Sequence, residues 1–253
     1  MEETMIMPSK AKKEVMNKAI LEKFISLYNL GGNVNSVMLR VKNNQLTTEM
    51  TSPDRNLIGS VVLNSFEFSD ADLGISDTEK LTKMLGVLDR NLTVTLNKVE
   101  DKNVSIKFND QNVDVIYMLA DETVIPEAAR PKSLPEFEVK ITIDQNFIDT
   151  FIKSYSALQE VESFTILSQN GELKLIIGYS ENNTNRITLS LNTTEPVSDM
   201  DPISFPSELF KEVLSANKGS EGHFEISSHG LAHIHFTNEM YTSNYYLLER
   251  NDD

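Results

Sequence analysis

Hydrophobic and polar residues alternate along much of this chain, in short runs separated by polar turns. The segments VMLRV and VVLNSFEF in the first half have the two-residue period of strands that bury one face. Four other stretches repeat apolar residues every three or four positions, as amphipathic helices do. The pattern therefore predicts an α+β protein with four helices set among many short strands.

Each predicted helix begins at a residue type that favours helix starts, either a capping side chain or a proline in the first turn. The first helix is expected to run to about Tyr28 and to end at Gly31 and Gly32. The predicted starts are Ser9, then Ser76 or Asp77, then Asp144, and finally Pro206.

The predicted strands occur in the same order in both halves of the chain. In the first half they are Met5–Met7, Ser36–Val41, Gln45–Met50, Leu57–Phe68, Leu92–Val99, Val104–Asn109 and Val113–Leu119. In the second half they are Phe137–Ile143, Ser163–Ser168, Glu172–Tyr179, Arg186–Asn192, Gly222–Ser227, Gly230–Thr237 and Tyr241–Glu249. Equivalent elements are separated by nearly the same number of residues, which indicates two similar domains from a duplicated unit.

The segment Met118–Lys140 shows neither the two-residue period of a strand nor the three-to-four-residue period of a helix. It contains Pro126, Pro131 and Pro135, and each proline removes a backbone donor and fixes φ, which favours an extended connector. We therefore expect one domain over residues 1–119, a connector over 120–136 and a second domain over 137–253.

Composition restricts the possible functions. A chain of 253 residues with 40% apolar residues is long enough for two folded domains of about 100–150 residues. The absence of cysteine excludes disulfides and thiolate chemistry. No apolar run approaches the roughly 18 residues that span a bilayer, and the N-terminus has no signal-peptide pattern, so we expect a cytoplasmic protein. The net charge of −15 argues against indiscriminate wrapping of nucleic acid.

Catalytic motifs are not found. The sequence has no glycine-rich phosphate loop, no G-x-S-x-G elbow and no H-E-x-x-H, so we expect neither an enzyme nor a cofactor. His233 and His235 share one face of a strand, but no carboxylate is spaced to complete a metal site. Asp70 and Asp72 lack the remaining ligands of a calcium loop, and we expect them to lie in a solvated loop.

Lysines recur on the predicted helices. Each helix carries one on the face opposite its apolar stripe, where a solvated charge is the ordinary interpretation, and acidic residues lie near them. Their recurrence on four equivalent surfaces of an acidic chain favours a functional role for these lysines. These residues are Lys18, Lys83, Lys153 and Lys211, with Lys12 and Lys23 flanking Lys18.

The element order, the duplication and the helix lysines together resemble a DNA sliding clamp, most closely the clamps of T4-like bacteriophages. The resemblance covers nearly the whole chain and depends on order and spacing, because this family has no short diagnostic motif. The segments that carry it are SKAKKEV, SVMLRVKNNQLTTEM, ISDTEKLTKMLGVL, DVIYMLADETVIP and NYYLLER. An insertion around 29–35 and an extended N-terminus depart from the pattern.

The resemblance implies a closed homotrimeric ring with antiparallel sheets outside and helices lining a hole that encloses double-stranded DNA. It implies that the ring tethers a DNA polymerase, is loaded by a separate ATP-driven clamp loader, and acts in the host cytoplasm if the protein is viral. The lysines named above would face the DNA. A partner peptide would place an apolar anchor in a pocket at Met50, Val124, Ile125, Tyr246 and Leu248.

Two other interpretations remain open at this point. One is a viral structural or assembly protein built on a duplicated α+β scaffold, with surface lysines that have no binding role. The other is a hydrolase with a dispersed active site.

Overall fold

The computed structural model of the chain describes residues 14–100, 102–180, 185–193 and 197–250. The α+β prediction is confirmed: this part of the chain contains four α-helices and antiparallel sheets. The helices are α1 Lys18–Asn29, α2 Thr78–Leu85, α3 Gln145–Ala157 and α4 Ser207–Ala216. None of them is long and apolar enough to cross a membrane.

The strands form three sheets. In chain order they are β1 Glu14–Asn17, β2 Val37–Lys42, β3 Gln45–Thr51, β4 Leu57–Leu63, β5 Ala71–Ile75, β6 Asn91–Val99, β7 Lys102–Asn109, β8 Asp114–Met118, β9 Val139–Ile143, β10 Ser163–Gln169, β11 Glu172–Ile177, β12 Ile187–Leu191, β13 Met200–Pro206, β14 Gly222–Ser227, β15 Leu231–Thr237 and β16 Tyr241–Leu248. Two four-stranded sheets have the orders β1-β6-β7-β8 and β12-β11-β10-β13. The third has eight strands in the order β5-β2-β3-β4-β16-β15-β14-β9.

Three of the four helices begin where the sequence predicts. The side chain of Asp77 accepts a hydrogen bond from the backbone N–H of Lys80, and Asp144 accepts one from the N–H of Phe147. Helix α4 follows Pro206 directly. Such caps act within one turn of the helix, and this is why sequence alone locates them.

The start predicted for the first helix is wrong. Glu14–Asn17 forms β1, which pairs antiparallel with β6, so its backbone groups bond across a sheet. The helix begins only at Lys18, and Asn17 caps it by accepting from the N–H of Ala19. Ser9 and the predicted strand Met5–Met7 lie outside the described residues.

One predicted strand is too long, and two strands were not predicted. The run Leu57–Phe68 forms a strand only to Leu63, and the separate strand β5 follows it. Asp72, expected in a loop, lies in β5 opposite Arg40 of β2. Strand β13 was not predicted because its sequence MDPISFP contains two prolines, which an edge strand tolerates.

The eight-stranded sheet joins the two halves of the chain. Strand β4 from the first half pairs antiparallel with β16 from the second, from Leu57 opposite Leu247 to Leu63 opposite Tyr241. Helix α1 packs on β3 and β4, and α2, α1, α4 and α3 pack against one another in that order. All four helices therefore belong to one continuous layer.

Aromatic side chains fill the core of the second half. The rings of Phe151, Phe164, Phe210 and Phe224 are fully buried. The Phe210 centroid lies 4.8 Å from those of the other three rings, within the range of favourable aromatic contacts. This cluster fixes α3 and α4 against the sheets.

A set of buried contacts, which we call the seam, joins α1 to the second half of the chain. The hydroxyl of Tyr245 donates to the Leu27 carbonyl at 2.8 Å and accepts from the Asn217 amide at 3.2 Å. Burial raises the pKa of Tyr245 to about 12, so the hydroxyl stays a donor at neutral pH. Gly31, with φ of 67°, lies so close to Glu212 of α4 that an added Cβ would be 2.6 Å from the carboxylate carbon.

Replacing Tyr245 with Phe tests this seam. The change keeps the ring but leaves the buried Leu27 carbonyl without its donor, so we expect the free energy of unfolding to fall by about 1–3 kcal/mol. Denaturant titration measures it. The control is Tyr179→Phe, at a ring that is 39% exposed, which should change stability by less than about 0.5 kcal/mol. Equal stability of the two variants would contradict the role of the Tyr245 hydroxyl.

Candidate nucleic-acid and partner-docking surfaces

The helix lysines occupy different environments. Lys83 on α2 and Lys153 on α3 are exposed. Lys83 forms an ion pair with Glu79 one turn earlier, and this hydrogen bond raises the pKa of Lys83. Lys211 on α4 is mostly covered; it pairs with Glu212, and its ammonium lies 5.9 Å from the centre of the Tyr155 ring.

Lys18 and Lys23 bind backbone carbonyl groups. The Lys18 ammonium donates to the Leu88 carbonyl at 2.8 Å, and its side chain is 15% exposed, with Glu22 at 3.4 Å. The Lys23 ammonium donates to the carbonyl of Ala216, the last residue of α4, at 2.6 Å. Burial lowers the pKa of Lys23. These two cations therefore help join helices, while Lys12 lies outside the described residues.

Lys80 is a candidate that the sequence reasoning missed. It is exposed on α2, in the turn before Lys83. Its position in the same helix as Lys83 was a signal that could have identified it. The exposed side of the helix layer thus carries Lys80, Lys83 and Lys153, with carboxylates close to several of its cations. Exposed lysines attract phosphate groups electrostatically, and this attraction does not depend on base sequence.

The five predicted pocket residues lie at different depths. Met50 is 1% exposed and belongs to the core, and Ile125, which is part of the connector, is 9% exposed. Val124 is 65% exposed, Leu248 is 38% exposed, and Tyr246 is half-buried. The structure therefore offers Val124, Tyr246 and Leu248 at the surface, with the other two beneath it.

The connector leaves part of the eight-stranded sheet open. It is fixed to β3 where the Ala129 N–H donates to the Thr51 hydroxyl at 2.8 Å and Arg130 pairs with Glu49 at 2.7 Å. Directly after the connector, the chain reaches the sheet again at Phe137, whose ring centre is 5.9 Å from that of His233 on β15. Strands β4 and β16 lie between these two attachments.

The outer faces of β4 and β16 supply the open surface. Ile58 of β4 is half-buried and lies directly opposite Tyr246 of β16. Burial alternates strictly along LIGSVVL and places Ile58 on the outer face. Because both faces of this strand carry apolar residues, its sequence alone did not identify Ile58. We call the group Ile58, Val124, Tyr246 and Leu248 the docking surface.

Two cavities flank the connector beside this surface. One, of about 320 Å³, is lined by residues that include Met38, Ile125 and Pro126. The other, of about 410 Å³, is lined by residues that include Val34, Met50 and Pro126. Both have room for a side chain of a bound peptide, and they bring Met50 and Ile125 within reach of it.

A row of polar side chains lies next to Tyr246 on the same face of the sheet. The His233 ring stacks on Tyr246 with centroids 4.7 Å apart, and its Nδ1 lies 2.9 Å from the Glu225 carboxylate. Lys140 of β9 donates to the same carboxylate at 2.8 Å. Burial alone would raise the pKa of Glu225, but the hydrogen bonds from Lys140 and His233 outweigh it and hold the pKa below its usual value.

The residues considered for metal binding are engaged in other contacts. His233 bonds to Glu225, and His235 lies 2.9 Å from the Thr237 hydroxyl. Asp70 accepts from the N–H of Asn43 at 3.3 Å. Within the described ranges, no three histidine or acidic side chains are grouped so that they could hold a metal ion.

Two sheet edges expose groups that could pair with another chain. Strand β8 ends one four-stranded sheet, and its outward residues Ile116 and Met118 are 51% and 64% exposed. Strand β12 ends the other four-stranded sheet. Unpaired edge strands with exposed apolar side chains are typical sites of strand addition.

The chain is similar in structure to several solved PCNA structures. A. fulgidus PCNA, solved with the C-terminal region of FEN-1 bound, has a TM-score of 0.73 and 16% identity over 95% of this chain and 99% of that chain. PCNA from Entamoeba histolytica has a TM-score of 0.72 and 18% identity over 94% and 98%. A PCNA2–PCNA3 complex from Sulfolobus tokodaii has a TM-score of 0.71 and 17% identity over 94% and 99%.

No protein-family model and no curated protein sequence matches the chain. The similarity therefore shows in the path of the backbone rather than in the sequence. It extends over almost the full length of both proteins in each comparison. The chain has the DNA sliding clamp fold of PCNA-type proteins.

Proposed function

We propose that this protein is a sliding clamp that encircles double-stranded DNA and tethers a DNA polymerase. The observation that carries the proposal is the match to PCNA structures over at least 94% of the chain, with all four helices in one layer. Its contribution is mechanical, and it needs neither a catalytic group nor a cofactor. We infer domains over residues 1–119 and 137–253 with the connector 120–136 between them.

Assembly into a homotrimer would close the ring. Strand β8 of one subunit would pair with β12 of the next, so that two four-stranded sheets become one continuous sheet across each interface. The exposed Ile116 and Met118 would be covered there. The Sulfolobus tokodaii structure is a complex of two such chains, which supports association between chains of this fold. We further propose that the clamp is of the T4-like viral type and works in the host cytoplasm.

The helix layer would face the DNA. Lys80, Lys83 and Lys153 would attract phosphates through water. Lys18, Lys23 and Lys211 are partly covered and would add to the positive electrostatic potential of the layer. Lys12 is assigned to the same surface by resemblance alone. Carboxylates near these cations weaken the attraction. Enclosure would then retain the DNA, and weak sequence-independent contacts would allow the ring to slide.

The docking surface would bind terminal peptides of the polymerase and of the clamp loader. A. fulgidus PCNA holds the C-terminal region of FEN-1, which supports peptide capture on this fold. In this chain an apolar anchor would contact Ile58, Tyr246 and Leu248, with Val124 at the rim. Met50 and Ile125 would form the deeper walls of the cavities beside it.

Met118→Glu tests the assembly. The wild-type protein should have a solution mass of about three times 28.5 kDa by light scattering. The variant should dissociate, because it loses apolar burial worth roughly 1.5–3 kcal/mol at each interface and places a charge there. Met240→Glu is the control, since Met240 is 40% exposed in the β15–β16 turn and should leave the mass unchanged. A wild-type protein that stays monomeric at high concentration and low salt would contradict the ring.

Leu248→Glu tests the docking surface. Loss of an apolar contact worth roughly 1.5–3 kcal/mol should weaken binding of an apolar-anchored polymerase tail by about tenfold or more, with the solution mass unchanged. Isothermal titration with the tail peptide measures the affinity. Val99→Glu, at another exposed apolar residue in the first half, should bind the peptide normally. Equal affinity for Leu248→Glu and wild type would place the pocket elsewhere.

A further inference from the structure

Three of the chain's four histidines lie together beside the docking surface. His223 of β14 lies opposite His235 of β15, and the rings of His233 and His235 are stacked with centroids 6.0 Å apart. The fourth, His229, is exposed in the turn between these strands. The outer face of β14 and β15 therefore carries three neighbouring imidazoles, and burial, together with the neighbouring His233 and His223, lowers the pKa of His235.

His233 has an oxygen atom at each ring nitrogen. Nδ1 lies 2.9 Å from a carboxylate oxygen of Glu225, and Nε2 lies 3.1 Å from the amide oxygen of Asn244. A neutral imidazole carries one N–H and can donate to only one of these acceptors, whereas the imidazolium donates to both. Both acceptors therefore receive an N–H together only when the ring is protonated. If the ring loses the Nε2 proton, a rotation of the Asn244 amide would present its NH₂ group to Nε2, while Nδ1–H keeps its bond to Glu225.

This ring is in direct contact with the docking surface. It stacks on Tyr246 with an angle of 12° between the planes, and it also contacts the ring of Phe137, which directly follows the connector. Asn244 lies two residues before Tyr246 on the same face of β16. A proton on His233 therefore changes the charge immediately next to the place where an anchor would bind.

The charges around His233 come from four strands. Strand β9 supplies Lys140, β14 supplies His223 and Glu225, β15 supplies His235, and β16 supplies the neutral phenol of Tyr246. The Glu225 carboxylate is shared between Lys140 and His233. When His233 is protonated, these three residues together carry a net positive charge. The protein as a whole carries −15, so this row offers a local attraction for an acidic side chain.

We propose that Lys140, Glu225 and His233 form a charge-selective subsite of the docking surface, which engages an acidic side chain next to the partner's apolar anchor when His233 is protonated. The subsite rests on the proposed function of the docking surface. It gives the clamp a preference among partner peptides that carry the same anchor. It also makes that preference stronger as the pH falls.

The test uses two labelled synthetic peptides with the same leucine–phenylalanine anchor, followed by two aspartates in one and two asparagines in the other. Fluorescence anisotropy with the full-length protein is measured from about pH 5.5 to about pH 8 at constant ionic strength. At the acidic end of this range, the aspartate peptide should bind about two- to fivefold more tightly than the asparagine peptide. A difference of this size is what one partly exposed ion pair contributes to binding. This advantage should disappear at the alkaline end.

The control variants separate the subsite from the surface beside it. His233→Gln should remove the aspartate advantage at every pH while the asparagine peptide still binds, and His229→Gln should retain the wild-type pattern. An aspartate advantage that persists in His233→Gln, or that does not change with pH, would overturn the subsite. Equal binding of both peptides at every pH would overturn the subsite but leave the docking surface intact. Failure of both peptides to bind would overturn the docking surface and the subsite with it.

A second measurement needs no peptide. Nitrogen NMR of the imidazole rings should show both nitrogens of His233 protonated at the acidic end, with the Asn244 side-chain amide signals changing over the same titration. Asn244 signals that stay constant while the His233 signals change with pH would contradict the proposed exchange of hydrogen bonds.

Discussion

The antiparallel pairing of β4 with β16 is the interaction on which the rest of this structure depends. It converts the sheets of two sequence halves into one eight-stranded sheet. One face of this sheet carries the helix layer, and the other carries the connector. Because β4 and β16 lie between the two attachments of the connector, the same pairing also creates the docking surface. The Tyr245 hydroxyl, bonded to Leu27 of α1, reinforces the junction from the helix side.

The distribution of charge follows from the same architecture. Lys18 and Lys23 reach from α1 to carbonyl groups near the ends of α2 and α4, so part of the positive charge of the helix layer stabilises contacts between helices. Lys80, Lys83 and Lys153 remain exposed. A layer of this kind would attract DNA weakly, and a closed ring would hold it by enclosure. Strong phosphate contacts would slow sliding, so a modest attraction suits the proposed function.

The sequence predicts those features of the fold that depend on local interactions. Asp77 and Asp144 cap helices through bonds that span three residues, and both were identified. The strand Glu14–Asn17 was mistaken for helix because its partner, β6, lies far along the chain. The roles of Lys18 and Lys23 were hidden for the same reason, since their carbonyl partners are 70 and 193 residues away. Met50 and Ile58 lie on opposite faces of neighbouring strands, and only the pairing shows that Ile58 is the one at the surface.

Topological linkage to DNA tests the central claim most directly. The protein is loaded onto a closed circular duplex by the clamp loader of the same replication system with ATP, and its retention is measured after a wash at high salt. Enclosure predicts that the protein remains on the circle at high salt and leaves when a single cut linearises the DNA, because screening removes electrostatic binding but not a ring. Release that is equally fast from circular and linear DNA would contradict the account.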